Sequence, residues 1–200
     1  DLHLATAIRM FGLTDDEDTM EKRRYDAKQA NFALVYGAEE YKLAEMLECS
    51  LEEAQEFMSK HKETYPVLYQ WMGAKVTQAK EDGYVTNMFG RVRPLPELYA
   101  GSWKIREKAE REVVNTIVQG TAVDIVKKMM LYLKEMLDSE VRLVLQVHDE
   151  ILLEVPDELI QDTLRKSKEL VLAFPDYPIS TSVGKCYSTL EKESNNGSMP

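Results

Sequence analysis

The chain has 200 residues, of which 44% are hydrophobic and 30% charged, the composition of an ordinary soluble globular protein of one or two domains. No apolar run approaches the roughly 20 residues that span a bilayer, so we expect no membrane partner. A net charge of −10 argues against a generic basic nucleic-acid binder, and two isolated cysteines, Cys49 and Cys186, predict a cytoplasmic protein without a disulfide framework or zinc site.

Periodicity and capping signals predict helices at the start of the chain. A short helix covers residues 1–12 and ends at a glycine. Asp18 and Glu21 have the spacing of a capping box, which predicts a second helix over about residues 18–36 that ends at Gly37.

The next elements are a long helical stretch and a hairpin. Ser50 and Glu53 form another capping-box pattern. It opens a helical stretch that is interrupted near Pro66 and ended by Gly83. The segment YVTNMFGRVRPLP that follows predicts a short β-hairpin with its turn at the Phe-Gly pair.

The rest of the chain mixes helices and strands. Helical periodicity covers residues 102–138, two strands are predicted at 141–147 and 150–155, and a further helix ends near residue 173. The segment YPISTSVG predicts a last strand, and residues 191–200 read as a disordered tail. The fold class is therefore α+β, mostly helical with a small antiparallel sheet.

A stripe of cations and aromatics lies on the predicted 18–36 helix, where Arg24, Lys28, Phe32 and Tyr36 recur at a spacing of four. Such residues share one face of a helix. A nucleoside triphosphate has the matching layout, with phosphates for the cations and a base and sugar for the aromatics. The alternative is a solvated basic patch that runs into core aromatics.

A second stripe of the same period contains Arg111, Asn115 and Gln119. A cation followed by two amides suits contacts to a nucleic-acid backbone and to base edges. An exposed polar helix face is the commoner explanation of such a triplet. The surrounding segment NTIVQGTAVDIV is nearly all apolar, however, and buried amides need partners.

The polar triplet His148, Asp149 and Glu150 separates two apolar strands. The alternative to a functional site is a hairpin whose tip is merely polar. Adjacent carboxylates repel each other, and a magnesium ion with oxygen ligands would compensate for that repulsion. Magnesium held near a bound triphosphate is what phosphoryl and nucleotidyl transfer require.

Four segments resemble, in order, the motifs of family A DNA polymerases. RYDAKQANFALVYG (24–37) is similar to motif B and QVHDE (146–150) to motif C. REVVNTIVQGTAVDI (111–125) resembles the helix between them, and DLHLATA (1–7) resembles the segment after motif A. Motif B usually has Gly after its Phe, where this chain has Ala33.

The resemblance implies a template-directed DNA polymerase of right-hand architecture, which transfers a nucleotide from a dNTP to a primer 3′-OH with Mg²⁺ by a two-metal mechanism. It implies that Arg24 and Lys28 bind the triphosphate, with Lys28 also a candidate proton donor to pyrophosphate. His3 would contact the phosphates, and Phe32 and Tyr36 would pack on the nucleotide and the nascent pair. Phe32, in place of Tyr, implies discrimination against dideoxynucleotides.

The remaining site residues follow from the same resemblance. Contacts to primer-template DNA are implied for Arg111, Asn115, Gln119 and His148. Asp149 would be a metal ligand, with Glu150 beside it as a second candidate ligand.

The resemblance also divides the chain and implies a missing part. Residues 1–101 would be mainly fingers, residues 102–190 the C-terminal part of the palm, and 191–200 the tail. Motif A, which carries the family's other metal-binding aspartate, has no counterpart in the sequence. We therefore expect an upstream palm and thumb segment, on the same polypeptide or a companion chain, to complete the enzyme. The alternatives are a metal-dependent phosphohydrolase or nuclease and a non-catalytic nucleic-acid-binding fragment.

Overall fold

The computed structural model describes residues 1–192, which form seven α-helices and three two-stranded antiparallel sheets. The predicted α+β class is confirmed. The chain divides into two compact units, Asp1–Thr121 and the residues from Ala122 onward. Nowhere in the described part is a helix both long and apolar enough to span a membrane.

The first unit is helical with one hairpin. Its elements are α1 (Leu2–Phe11), α2 (Glu17–Val35), α3 (Glu40–Leu47), α4 (Leu51–Thr64), α5 (Pro66–Asp82), β1 (Tyr84–Thr86), β2 (Val92–Pro94) and the first part of α6 (Trp103–Met136). The second unit contains the rest of α6, β3 (Arg142–Val147), β4 (Glu150–Glu154), α7 (Ile160–Ala173), β5 (Ser182–Val183) and β6 (Glu191–Lys192). Residues 193–200, most of the tail predicted to be disordered, lie outside the described residues.

Helix α2 is anchored by its apolar face. Ala30 and Leu34 are buried in one core with Leu43 of α3 and Phe57 of α4. The predicted helix is confirmed, but its predicted cap is wrong. Asp16 is the N-cap, and its carboxylate accepts from the Thr19 backbone N–H at 2.9 Å and from the Thr19 hydroxyl. Asp18, in contrast, lies within the first turn.

The capping box of α4 is confirmed, since Glu53 N–H donates to the Ser50 hydroxyl and Ser50 N–H donates to the Glu53 carboxylate. Gly83 ends α5 in the left-handed conformation, as predicted. Helix α3 was not predicted as an element. Its N-cap, Glu39, makes no side-chain capping hydrogen bond, and its C-cap is a left-handed glutamate rather than a glycine, so both boundary signals are missing.

The second core of the first unit joins the predicted β1–β2 hairpin to α6. Val85, Leu95 and Leu98 are buried against Val113 and Ile117. The hairpin turn is closed by the Asn87 side chain, whose Oδ1 accepts from the backbone N–H groups two and four residues later. Helix α6 is thereby held with its Asn115 and Gln119 segment beside the hairpin.

The second unit contains the polar triplet. Ile125, Met129 and Leu133 of α6 pack with Leu170 of α7. Strands β3 and β4 pair antiparallel with Val147 opposite Glu150, so a two-residue loop joins them, and the register shifts within β3 after its second residue. All six residues of β3 are exposed.

Candidate active site

The predicted stripe lies on the solvent side of α2. Arg24, Lys28 and Phe32 are exposed, and Tyr36 is half-buried just after the helix. Ala27, Ala30, Asn31 and Leu34 line the opposite, buried face. Because the apolar face holds α2 against the core, the cations and aromatics are presented outward in the predicted order.

Arg24 is already engaged with an anion. Its Nε donates to Asp1 Oδ2 at 2.8 Å, and a terminal nitrogen lies 2.7 Å from the same oxygen. The other Asp1 oxygen caps α1 by accepting from the backbone N–H groups of His3 and Leu4. Two Arg24 nitrogens thus lie within hydrogen-bond distance of one carboxylate oxygen, and arginine binds phosphate oxygens through the same groups. An exposed pair of this kind contributes only about 0–1 kcal/mol, so a multiply charged anion can replace it.

His3 joins the same face from α1. Its ring lies against Phe32 with centroids 5.6 Å apart, and its Nδ1 is 3.1 Å from Asn31 Nδ2. Burial, followed by the positive charges of Arg24 and Lys28, holds the pKa of His3 below its ordinary value of 6.5. His3 is therefore neutral at physiological pH and can donate one hydrogen bond without adding charge.

The aromatic end of the stripe is a stacked pair. The rings of Phe32 and Tyr36 are 6.5 Å apart and nearly parallel, at 11°. Phe32 is 46% exposed, which leaves its ring available to a flat ligand. The structure thus brings together five of the predicted residues on one surface. They are His3, Arg24, Lys28, Phe32 and Tyr36.

Arg111 lies beside the C-terminal end of α2. It is 3.6 Å from Glu39 and 3.3 Å from Glu107, and its aliphatic stem covers Gly37. Gly37 has φ +78°, and a Cβ built there would lie 2.5 Å from Arg111 Cδ. The close approach of arginine and backbone therefore requires glycine at this position.

The two amides of the second stripe differ in their surroundings. Asn115 is half-buried, and its Oδ1 is buried without a hydrogen-bond partner among the described residues. Gln119, one turn later, is exposed. An unpaired buried acceptor is costly unless a donor reaches it, so Asn115 has capacity to accept a hydrogen bond from a ligand.

The polar triplet lies at the tip of the β3–β4 hairpin, and all three residues are exposed. His148 is the first loop residue and has φ +53°, the left-handed conformation that primed hairpin turns require there. The Tyr187 hydroxyl donates to Glu150 Oε2 at 2.8 Å, and this hydrogen bond raises the pKa of Tyr187. One of the two adjacent carboxylates is thus held in place and the other, Asp149, remains at the tip.

The described residues do not form a metal site by themselves. Asp149 and Glu150 offer the oxygen donors that magnesium prefers. Within residues 1–192, however, no three His, Cys, Asp or Glu side chains come together as a ligand set. A cation bound at the hairpin tip would need oxygen ligands from a substrate, from water or from another segment.

Two residues near the site were not anticipated from the sequence. Asn31, only 7% exposed, contacts His3 on one side and buried His61 on the other. An amide on the same helix face as Ala27, Ala30 and Leu34 was the available signal, because a buried amide needs partners. No local signal identifies His61, which lies 30 residues away.

Comparison with known proteins relates nearly the whole chain to one family. A family model for DNA polymerase family A matches residues 1–185. The DNA polymerase I of Bacillus caldotenax is 41% identical over 174 residues, which are 86% of this chain and 20% of the relative. The DNA polymerase I of Streptococcus pneumoniae serotype 4 is 36% identical over 186 residues, 92% of this chain and 21% of the relative.

A solved structure has the same fold. The POL domain of Pol1 from M. smegmatis, in complex with DNA primer-template and dNTP, superposes with a TM-score of 0.77 and 34% identity. The match covers 90% of this chain and 32% of that chain. The chain spans about a fifth of the length of the curated relatives.

Proposed function

The chain belongs to DNA polymerase family A, and on that premise we propose that it carries the nucleotide-binding surface and one metal-binding carboxylate of a template-directed DNA polymerase. The observation that carries the proposal is the exposed face of α2. Two cations and two stacked aromatics lie along it in the order of a triphosphate, a sugar and a base, with neutral His3 beside them.

In this proposal the cationic end of the face binds the phosphates. Arg24 exchanges Asp1 for a phosphate oxygen, and Lys28 binds a second oxygen and is the candidate proton donor to the departing pyrophosphate. His3 donates one hydrogen bond to the phosphates. Phe32 packs on the sugar and base of the incoming dNTP, and Tyr36 packs at the nascent base pair.

The hairpin tip supplies the metal ligand. Asp149 would bind Mg²⁺, with Glu150 as a second candidate ligand oriented by Tyr187. Bound magnesium would acidify the primer 3′-OH and neutralise charge on the pyrophosphate. The remaining ligands would come from the nucleotide phosphates, from water and from an upstream palm segment, in keeping with the incomplete donor set of residues 1–192. His148, at the same tip, would lie near the primer terminus.

DNA contacts belong to α6 in this proposal. Arg111 would bind the backbone, and Asn115 and Gln119 would contact the minor groove of the primer-template. The unpaired Oδ1 of Asn115 supports a contact in which a base-edge donor reaches it. We further propose that residues 1–101 are mainly fingers and residues 102–190 part of the palm, and that the protein acts in the cytoplasm.

Primer extension tests the proposal. The parent chain, Asp149→Asn and the control Asp157→Asn would be compared on a primed DNA template with Mg²⁺ and four dNTPs. Each would be assayed as the 200-residue chain and with an upstream palm and thumb segment supplied. Asp157 is a suitable control because it is an exposed acid of the same unit, paired with Lys185.

We expect extension that Asp149→Asn abolishes and Asp157→Asn retains. An unchanged rate in Asp149→Asn would remove this residue from the metal site. Metal-dependent loss of DNA ends without dNTPs would indicate a nuclease instead. DNA binding without extension, even with the upstream segment present, would indicate a non-catalytic fragment.

A further inference from the structure

A network of buried hydrogen bonds runs from the core to the nucleotide-binding face. Its central member is His61 of α4, which is 2% exposed and packs against the rings of Phe57, Tyr65 and Tyr69. Both ring nitrogens have partners: Nδ1 lies 2.9 Å from the Tyr69 hydroxyl and Nε2 lies 2.8 Å from Asn31 Oδ1.

The chemistry of the partners fixes the direction of each bond. Asn31 Oδ1 can only accept, so His61 Nε2 carries a proton and donates it. Burial lowers the pKa of His61, so the ring is neutral and Nδ1 accepts from the Tyr69 hydroxyl. With its oxygen held toward His61, the Asn31 amide directs its Nδ2 toward α1.

Both hydrogens of Asn31 Nδ2 are used. One goes to Thr6 Oγ1 at 3.0 Å and the other to His3 Nδ1 at 3.1 Å. Thr6 donates to the Leu2 carbonyl and so accepts from both Asn31 and the Tyr65 hydroxyl. Each member of the network has complementary partners, and such a network has one preferred arrangement.

The arrangement selects one form of His3. A ring whose Nδ1 accepts a hydrogen bond is neutral and carries its proton on Nε2. If His3 Nδ1 were protonated, its N–H would point at an N–H of Asn31 Nδ2, and the hydrogen bond between them would be lost. A flipped Asn31 amide would instead favour a proton on Nδ1 of His3. Two neighbours oppose that flip. Thr6 has already donated its hydroxyl hydrogen to the Leu2 carbonyl and can only accept from Asn31, and His61 Nε2–H offers a donor to Asn31 Oδ1.

We propose that His61 is a positioning residue of the nucleotide site: through Asn31 it holds His3 in the tautomer whose Nε2–H donates to the triphosphate. The proposal rests on the proposed function, in which His3 faces the phosphates. His61 touches no ligand itself, and its effect passes through two hydrogen bonds and one amide orientation.

Two measurements on the full chain test the proposal. Long-range ¹H–¹⁵N spectra report which ring nitrogen of His3 is protonated, and titration with dATP reports affinity. The variants are His61→Phe, which keeps a ring and removes both hydrogen bonds, and His61→Gln, whose amide retains an N–H for Asn31. Lys60→Ala is the control, since Lys60 lies on the same helix in an exposed pair with Glu56.

We expect a dominant Nε2–H tautomer of His3 in the parent chain. His61→Phe should mix in the Nδ1–H form and weaken dATP binding roughly 3- to 10-fold, the worth of one hydrogen bond. His61→Gln should restore both readouts, and Lys60→Ala should change neither. A His3 tautomer that does not respond to His61→Phe overturns the proposal.

A second variant covers the case in which His61→Phe fails to fold. Asn31→Asp keeps the size of the side chain but replaces the outward donor by an acceptor, so it should place a proton on His3 Nδ1. An unchanged tautomer in Asn31→Asp also overturns the proposal. If the His3 tautomer responds to these substitutions but the parent chain binds no dATP, the link from His61 to His3 is supported and the proposed nucleotide site is contradicted. Failure of this proposal and failure of the proposed function are therefore distinguishable.

Discussion

Lys28 is the residue on which the proposed phosphate contacts depend most. Arg24 has Asp1 as a partner, whereas Lys28 is exposed and, within residues 1–192, forms no ion pair with a carboxylate. In the free protein, Lys28 lies one helical turn from the like-charged Arg24, and no favourable charge interaction with a described residue stabilises it. It gains a strong charge-assisted bond when an anion arrives.

Lys28→Ala should therefore weaken dNTP binding roughly 10- to 100-fold, the range of a hydrogen bond to a charged group. DNA binding should change little, because the DNA contacts are proposed for α6. Lys22→Ala is the matched control, an exposed lysine of the same helix away from the stripe. Equal losses of nucleotide and DNA affinity in Lys28→Ala would contradict the triphosphate role.

Phe32 is proposed to lie against the nucleotide sugar, where a single hydroxyl changes the chemistry of the contact. The Phe32 ring is 46% exposed, so Phe32→Tyr adds a polar group without overpacking the core. When the chain is supplied with the proposed upstream palm and thumb segment, Phe32→Tyr should increase chain termination by dideoxynucleotides. Sequencing-type extension ladders would measure it, with exposed Phe89→Tyr as the control. Identical ladders would show that Phe32 does not contact the sugar.

At the scale of elements, the junction between α2 and α6 depends on a glycine. Gly37 follows the last residue of the stripe, and the Arg111 stem packs directly on its backbone. The left-handed conformation and the close contact both exclude a side chain. Helix α2 is therefore held at its C-terminal end by an arginine that also pairs with Glu39 and Glu107.

Gly37→Ala should lower the free energy of unfolding of the first unit by at least about 1 kcal/mol, from backbone strain alone. Gly73→Ala is the control. Gly73 lies within α5 with open space where a Cβ would be, so alanine there should stabilise by about 0.5–1 kcal/mol. Urea unfolding followed by the fluorescence of Trp71 and Trp103 measures both. If Gly37→Ala left the free energy of unfolding unchanged, Arg111 and the backbone would have to rearrange without cost.

The elements that the sequence predicted well are those with local signals. The Ser50–Glu53 box and Gly83 mark helix ends through contacts within a few residues, and both were located correctly. The start of α2 was misplaced because residues 15–18 are four consecutive acids, three of them aspartates, and each aspartate is a possible N-cap. Asp16 prevails because its carboxylate reaches both the backbone and the hydroxyl of Thr19.

Of the candidate site, only the residues on the exposed face of α2 could be predicted from the sequence. Arg24, Lys28, Phe32 and Tyr36 share a helical period, so their common face follows from spacing. The inward half depends on contacts between distant segments. Asn31 meets Thr6 at a separation of 25 residues and His61 at 30, and no periodicity encodes such meetings.

At the scale of the whole molecule, buried His61 makes the free energy of unfolding depend on pH. Burial holds the pKa of His61 below 6.5, so below that pH the unfolded chain binds a proton that the folded chain does not. The stability that a neutral His61 provides is thus complete above pH 6.5 and is lost as the pH falls through the folded pKa. His3, whose pKa is also lowered, acts in the same direction.

The urea midpoint of the first unit should therefore be lower at about pH 5.5 than at about pH 7.5. Tryptophan fluorescence measures it, because Trp71 and Trp103 both lie in that unit. His61→Phe, which cannot titrate, should flatten the dependence, whereas Lys60→Ala should preserve it. A midpoint in the parent chain that rises toward acid pH would contradict the neutral state of His61.

The β3–β4 hairpin has a further consequence for how the chain behaves at high concentration. Leu143, Val144, Leu145 and Val147 are each more than a third exposed, on a strand with only one neighbour in the described part of the chain. An apolar strand with an open edge is a template for pairing with identical strands of other molecules. The hairpin that carries Asp149, the proposed metal ligand, is thus also the segment from which cross-β aggregation would begin. The acids at its tip and along the chain oppose that stacking by mutual repulsion.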